Sequence, residues 1–465
     1  MALLCLAFFM VILDAQIVIL ALPSIEADLD LSADAGQWVM SVYLLSFGGL
    51  LLLGGRSADL LGRRRMFVIG TGLFLLSSVG CGLAWSGGVL IAARVVQGVS
   101  AAVMAPTALS ILMTTFEEGA ERNKALGIWS AVGGVGATAA LLIGGPLTDG
   151  LGWEWIFYIN IPVALALIAL SPTLLRESRG QVSERVYDLS GAATVTLALV
   201  LLVYAVVEAP DVGWGAPQTI GLLIASGLLV AVFALVESRS TSPLVPLRIF
   251  RSRMLVGGNL VLATLGMVAW GMSLTVSLYA QQVLGYSAVE FGLGTAVMTV
   301  GAVVGSTVGQ GIVTRIGPRL VASVGFLLTG AGCVVLTQIS VGGSYFRDIF
   351  LGLLIFGPGL GAAYVAASVA TLTGVAERES GLASALNNAA FQIGGALGSA
   401  VVTTVAVSQA EGPDALTALT EGFQAAFVAS VAFPLVGLIC AVIFLRRRPS
   451  SEPPTSEPAD AATAP

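Results

Sequence analysis

A lone carboxylate, Asp14, lies within the stretch "FFMVILDAQIVILALPSI", which is long enough and apolar enough to cross a membrane as a helix. If this helix leaves the membrane near Leu22, its rise places Asp14 about 12 Å below the boundary. The same rise places Arg94, in the fourth apolar segment, about 9 Å below that boundary. We therefore predict that the two ionisable side chains share one layer of the membrane.

Ionisable residues in spanning helices are costly and usually line a cavity or an ion path. Burial favours the neutral form of a carboxyl group, whereas a nearby cation favours the ionised form. The competition can make Asp14 a proton carrier or a binding group for a cationic solute, and the acid would then face a polar pathway. The alternative is a static pair of Asp14 and Arg94 that only joins two helices.

The turn after the second apolar segment, "GGRSADLLGRRRMF", holds a second acid, Asp59. The dipole at the C-terminal end of a helix disfavours a negative charge, so Asp59 needs a partner, and a breakable partner would make a gate at this end. In the simpler interpretation the turn is a basic loop that only sets topology. The residues of this motif are Gly55, Asp59, Gly62, Arg63, Arg64 and Arg65.

A weaker copy of the turn, "GQGIVTRIGPRL", follows the tenth apolar segment and has Thr314 in the position of the acid. Two related turns, each after the second helix of a six-helix unit, indicate an internal duplication.

In the fifth segment Gly136, Ala140 and Gly144, next to Gly145, recur at the spacing of a close helix contact. A rocking transporter can use the same surface as a seal or pivot.

The composition requires a membrane setting for these groups. Of 465 residues, 56% are hydrophobic and 10% are charged, whereas soluble domains carry about a quarter charged residues. Fourteen apolar segments predict an all-α polytopic membrane protein. Histidine is absent, which excludes imidazole proton relays, and no phosphate-binding Gly-x-x-x-x-Gly-Lys-Ser/Thr loop is present.

The basic residues predict the orientation. Of the 21 Lys and Arg residues, all except Arg94 and Arg347 lie on the side that follows even-numbered segments. The positive-inside rule then puts both termini in the cytoplasm. The opposite side has acidic connections, for example the predicted loop "SIEADLDLSADAG".

The duplication predicts a six-helix bundle over 1–187, an additional two-helix insertion over 188–237 and a second six-helix bundle over 238–448. The Pro-, Ser- and Ala-rich composition of residues 449–465 predicts a disordered tail. Transporters with this plan bind substrate near the midplane between the repeats. Candidate cavity residues are Gln16, Tyr43, Phe47, Gln97, Trp270, Asn387, Asn388 and Gln392.

Several of these stretches resemble one family. "GRSADLLGRRR", "LIAARVVQGVSAA", "LDAQIVILALPSI", "WEWIFYINIPV" and "GLASALNNAAFQIGGALGSA" are similar to motifs of the major facilitator superfamily, in particular its fourteen-helix drug:proton antiporter group. The resemblance implies alternating access between two bundles and export of hydrophobic, cationic compounds coupled to inward proton flow. It implies that Asp14 binds the proton and the cation, and that Arg94 tunes proton exchange at Asp14. It also implies that Asp59 and the neighbouring arginines form the gate on the inward side.

The resemblance further implies a monomer in the cytoplasmic membrane, with protons as the coupling ion and no other cofactor, metal or nucleic-acid partner. One departure keeps alternatives open, because Ala140 and Leu141 stand where the family has Gly-Pro. The chain can therefore import a small solute or act as a uniporter, or export one self-made metabolite. An embedded enzyme or a receptor is disfavoured, since the sequence has no histidine cluster or nucleophile constellation.

Overall fold

The apolar segments form helices because lipid offers no hydrogen-bond partner to the backbone, so each spanning segment must pair its own N–H and C=O groups. A computed structural model describes residues 1–116, 120–178, 189–240, 245, 247–373, 375, 380–410 and 414–445, and every regular element in these ranges is helical. The helices are α1 Ala2–Asp28, α2 Ala33–Leu61, α3 Arg63–Gly82, α4 Gly87–Thr115, α5 Ala120–Leu151, α6 Trp155–Tyr158, α7 Asn160–Leu174, α8 Leu189–Val212, α9 Pro217–Arg239, α10 Arg253–Leu278, α11 Ala288–Ile316, α12 Pro318–Leu336, α13 Phe350–Leu372, α14 Ser380–Ser408 and α15 Ala415–Phe444.

Each predicted apolar segment coincides with one of these helices, with α6 and α7 together forming the sixth. Within the described ranges, eleven helices are long and apolar enough to cross a membrane. The all-helical membrane fold is confirmed, whereas the count of fourteen spans and the orientation of the termini stay predictions. The predicted tail, 449–465, lies outside the described residues.

Buried apolar side chains form two main cores. One draws predominantly on α1 to α7 and the other on α10 to α15. The two groups of helices meet where α2 packs against α14 and α5 packs against α11. Helices α8 and α9 pack on each other, and α8 also contacts α2 and α14. This grouping agrees with two bundles and an additional pair, although the predicted boundaries remain predictions, and the one at 187/188 falls outside the described ranges.

We call the end of the molecule that holds the turn from Arg63 to Arg65 the basic end. At this end the α2–α14 interface is closed by an apolar cluster of Val245, Ile249, Leu255 and Ala383, against which Leu53, Leu382 and Leu386 pack. Nearer the middle, a Cβ added to Gly48 of α2 would lie 3.2 Å from the Cβ of Gln392 on α14. Along the α2–α14 interface, the two bundles therefore touch from the basic end to about the midplane.

The opposite end differs from the prediction. Within the stretch "SIEADLDLSADAG" the connection is only four residues long, 29–32, because α1 continues through Pro23 to Asp28 and α2 begins at Ala33. Proline is tolerated within membrane helices where neighbouring groups satisfy the freed backbone carbonyl. Ser32 caps α2 by accepting a hydrogen bond from the N–H of Ala35 at 3.3 Å. Glu26 consequently lies on the last turn of α1 rather than in a solvated connection.

Candidate functional site

The predicted shared layer of Asp14 and Arg94 is a direct contact. Arg94 Nη1 of α4 lies 2.7 Å from Asp14 Oδ2 of α1. The other carboxylate oxygen, Oδ1, accepts hydrogen bonds from Gln97 Nε2 at 2.9 Å and from Asn160 Nδ2 at 2.7 Å. Asp14 therefore accepts hydrogen bonds from three donors on two other helices. A buried carboxylate requires such partners, because burial of an unpaired charge is very costly.

The guanidinium of Arg94 also has several partners besides Asp14. Its Nη1 also donates to Gln97 Oε1 at 2.8 Å, and its Nε donates to the carbonyl of Val39 on α2 at 3.1 Å. Its central carbon lies 4.1 Å from the centre of the Tyr43 ring, a cation–π contact. Arginine suits this position because its planar group can form several directed hydrogen bonds and stack on a ring at once.

This cluster of Asp14, Arg94, Gln97 and Asn160, called here the Asp14 cluster, is sealed. Each of the four side chains has at most 1% of its surface exposed. The structure thus differs from the expectation that Asp14 faces a polar pathway, because the carboxylate points into the core of the first bundle. Removing one partner of such a pair leaves an uncompensated buried charge, which costs about 3–5 kcal/mol. A change in the charge of Asp14 must therefore rearrange contacts among α1, α2, α4 and α7.

Two members of the network were missed by sequence reasoning. Asn160 begins α7, and Ser78 of α3 accepts hydrogen bonds from Gln97 Nε2 at 3.0 Å and from Asn160 Nδ2 at 3.4 Å. Asn160 lies in the stretch "WEWIFYINIPV", where an amide in an apolar run was the available signal. Ser78 gave no signal, since a serine in a membrane helix commonly bonds to its own backbone.

At the basic end, the turn between α2 and α3 is bound to the end of α7. Glu177 accepts hydrogen bonds from the backbone N–H groups of Arg64 at 3.1 Å and Arg65 at 3.2 Å, and it lies 3.7 Å from Arg64 Nε. The turn itself requires Gly62, whose φ of 110° is open to glycine. These contacts stay within the first bundle, and the side chain of Asp59 lies outside the described residues. The gate role of the motif thus stays a prediction.

The small residues of α5 face two different helices. A Cβ on Gly136 or Gly144 would come within 3.3 Å of Ile12 or 2.7 Å of Ile17, both on α1. A Cβ on Gly145 would lie 2.5 Å from the Cα of Val289 at the start of α11. The packing thus joins α5 to its own bundle through two glycines and to the other bundle through the third. Ala140 is fully buried.

The predicted cavity residues separate into two groups. Tyr43 and Gln97 belong to the surroundings of Arg94, and Phe47 packs 6.0 Å from the ring centre of Tyr43. Asn388 donates to the carbonyl of Ser384 on its own helix at 3.1 Å, and Gln16 is half-buried.

The second group lies along the interface between the bundles. Buried side-chain atoms without a hydrogen-bond partner in the described part of the chain occur there on α2, α10 and α14, in Ser41, Trp270, Asn387, Gln392 and Ser399. Such groups are unusual, because leaving a buried polar atom unpaired costs about 1–3 kcal/mol. We call these five unpartnered residues of α2, α10 and α14 the polar line.

Beyond that line, at the end opposite the basic end, the bundles separate around a cavity of about 170 Å³. It is lined by side chains of α1, α2, α10, α14 and α15, so both bundles contribute. We call it the Glu26 cavity, after the carboxylate in its wall. The two bundles thus leave a small cavity between them at the end opposite the basic end.

Comparisons with known proteins agree with this architecture. The family model of the Major Facilitator Superfamily matches residues 4–399 and 259–465. A puromycin resistance protein, pur8, of Streptomyces alboniger is 39% identical over 402 residues, which cover 86% of this chain and 80% of that protein. The cephamycin export protein CmcT of Amycolatopsis lactamdurans is 37% identical over 438 residues, which cover 93% of this chain and 89% of that protein.

Among solved structures, a bacterial homologue of the human lysosomal transporter Spinster, in an inward-facing and unoccupied conformation, superposes with a TM-score of 0.67. Its sequence is 19% identical, and the match covers 97% of this chain and 98% of that one. This likeness establishes the fold alone. Taken with the family match, it shows that the chain belongs to the major facilitator superfamily and is a membrane transporter, not an enzyme.

Proposed function

We propose that this transporter exports hydrophobic, cationic drugs or toxic metabolites and couples the export to inward movement of protons. The single observation that carries the coupling is the Asp14–Arg94 contact, an ion pair buried between α1 and α4. The names of the relatives, a puromycin resistance protein and a cephamycin export protein, support the export of a small-molecule drug or antibiotic.

The coupling follows from the charges of the cluster. When Asp14 takes up a proton, its attraction to Arg94 is lost, and the guanidinium keeps only neutral partners such as Gln97 and the Val39 carbonyl. The three donors that hold Asp14 come from α4 and α7, so protonation loosens α1 within its bundle. Because α1 also reaches the second bundle through a bond from Ser277 to the Ile19 carbonyl at 3.1 Å, this change can bias the contact between the bundles.

The energy required is available from the membrane. One proton moving inward contributes about 2.3 kcal/mol for every 100 mV of membrane potential, with any pH gradient in addition. In this scheme the transporter works as a monomer in the cytoplasmic membrane, with both termini in the cytoplasm and protons as the coupling ion. The polar line of Ser41, Trp270, Asn387, Gln392 and Ser399 supplies hydrogen bonds along the route between the bundles.

A second candidate is the dedicated export of one self-made metabolite, which the name of the cephamycin export relative favours. Import or uniport of a small solute is the remaining alternative. These three candidate functions differ in the direction of transport and in the number of substrates. An exporter with several substrates and an exporter with one substrate both move solute against the direction of protons, whereas an importer or uniporter does not.

The test is transport in proteoliposomes that contain the full chain and carry an imposed pH gradient. We expect tetraphenylphosphonium and puromycin to move opposite to protons with the wild type. Asp14→Asn should abolish the movement, and Asp14→Glu should retain part of it. The control is Asp30→Asn, because Asp30 is exposed and its φ of 50° is one that asparagine tolerates. Undiminished transport by Asp14→Asn would refute the coupling.

A further inference from the structure

The Glu26 cavity lies where the two bundles part. Its walls are mainly apolar and come from both sides of the interface, including Leu22 of α1, Leu278 of α10, Val402 of α14, and Leu419 and Phe423 of α15. A buried apolar surface of this kind favours a ligand with a hydrophobic ring or chain. Its volume of about 170 Å³ is close to that of an apolar protein cavity, about 150 Å³, that holds one benzene molecule.

One carboxylate stands in this apolar wall. Glu26 is half-buried on the last turn of α1, and the other cavity-lining side chains are all uncharged. Within the described ranges, its carboxylate has no hydrogen-bond or ion-pair partner, in contrast to Asp14 with its three donors. Its position is set by the backbone of Gly36, since a Cβ there would collide with the carboxylate. The cavity thus contains an ionisable carboxyl group that is not paired with any cation of the described residues.

Two further polar groups in the same wall lack partners. Gln37 of α2 is 1% exposed, and both its amide nitrogen and its amide oxygen have no hydrogen-bond partner. Thr403 of α14, which is 6% exposed, has an unpartnered hydroxyl. Both side chains line the cavity. Burying such a group without a partner is unfavourable, and a ligand in the cavity could supply the missing hydrogen bonds.

We propose that the Glu26 cavity is a binding site for an amphipathic monovalent cation, with Glu26 as its counter-charge. Gln37 and Thr403 form hydrogen bonds with polar atoms beside the charge, and the apolar walls hold one ring of the ligand. The assignment rests on the proposed function, which it deepens by giving the cation a binding site at the end opposite the basic end. Because the wall includes residues of both bundles, an occupied cavity stabilises the conformation described here.

The site is distinct from the Asp14 cluster. Twelve residues separate Asp14 from Glu26 on α1, a distance of about 18 Å along the helix. Asp14 can therefore remain paired with Arg94 while Glu26 holds a cation. Helix α1 then has two carboxyl groups with different roles. Asp14, which is fully buried, binds the proton, and Glu26, which lines the cavity, binds the transported cation.

The experiment measures binding of 2-phenylethylammonium, which has one ring and an N–H-bearing cation, to the purified full chain in nanodiscs by isothermal titration calorimetry. 2-Phenylethanol, which has the same ring and no net charge, serves as the neutral probe. We expect Glu26→Gln to weaken 2-phenylethylammonium binding about tenfold, which corresponds to about 1.4 kcal/mol, and to leave the neutral probe unaffected. The matched control is Glu421→Gln, because Glu421 is exposed on α15 and does not line the cavity.

Gly36→Ala provides a second variant that keeps every charge. Its added methyl group displaces the Glu26 carboxylate, so we expect weaker binding of 2-phenylethylammonium at unchanged thermal stability. The proposal is overturned if the wild type does not bind the cation, if Glu26→Gln binds it as the wild type does, or if Glu421→Gln loses as much. Failure of the proposed function is a separate result: the wild type would bind the cation through Glu26 but would not transport it in proteoliposomes.

Discussion

Asn160 donates a hydrogen bond of 2.7 Å to Asp14, on the same oxygen that accepts from Gln97. The first residue of α7 thereby contacts the only carboxylate in the middle of α1. A proton on Asp14 affects α7 as well as the arginine of α4, so the charge of one side chain bears on the packing of three helices.

We predict that Asn160→Leu lowers proton-coupled transport several-fold, because the carboxylate loses one of its three donors. In an Asp14→Asn background the same change should add little, since the two residues act through one network. Because Asp14→Asn leaves no transport to compare, the interaction energy is measured from the thermal stabilities of the two single variants and the double variant in detergent. Independent, additive effects on stability would contradict the shared network.

Arg94→Leu is expected to destabilise the protein by about 3–5 kcal/mol, because it leaves the buried carboxylate of Asp14 without a counter-charge. The double variant Asp14→Asn with Arg94→Leu removes both charges and should recover most of that stability while remaining inactive. Thermal unfolding in detergent measures the stability of the single and double variants. Transport in proteoliposomes measures whether the double variant is inactive. Equal stability of the single and double variants would contradict the account of the pair.

Glu177→Gln should reduce stability by less than about 1 kcal/mol, as expected for a partly exposed charge at a helix N-terminus. Transport should continue, because all the described contacts of Glu177 lie within the first bundle and do not join the two. A variant that is stable but does not transport would show that this turn takes part in the conformational switch. Glu121→Gln, an exposed acid at the same end, is the control.

Gly145→Ala tests the contact between α5 and α11. The added methyl group would meet the backbone of Val289 and Ala288, so the conformation described here should be disfavoured and transport should fall several-fold. The paired control is Gly150→Ala on the same helix, since a Cβ there would have no atom within 4 Å. Equal transport by the two variants would mean that the close approach has no part in the cycle.

The meeting of Asp14 and Arg94 was predictable because helix rise alone places two residues in one layer, and the membrane leaves a buried carboxylate few partners. Asn160 was not predictable to the same degree. Its contact depends on how α7 is turned after the break at α6, and apolar residues on every side of that segment give no periodic signal for the rotation.

Glu26 was misplaced for a related reason. The acidic residues after Pro23 read as a solvated loop, yet α1 continues beyond them, and a single proline in a membrane helix does not decide where the helix ends. The unpartnered amides of the interface, such as Gln392, were recognised by residue type, because few polar residues occur in these segments. Their lack of partners depends on the relative placement of the two bundles, which sequence patterns do not encode.

Helix α8 touches both bundles through single side-chain bonds. Thr196 donates to the Gly49 carbonyl of α2 at 3.4 Å, and Thr404 of α14 donates to the Val206 carbonyl of α8 at 3.4 Å. A rotation that parts α2 from α14 must break one of these two bonds, so α8 travels with whichever bundle keeps its bond. In the proposed cycle, Thr196 and Thr404 are therefore positions at which the exchange between conformations can be adjusted without altering either carboxylate.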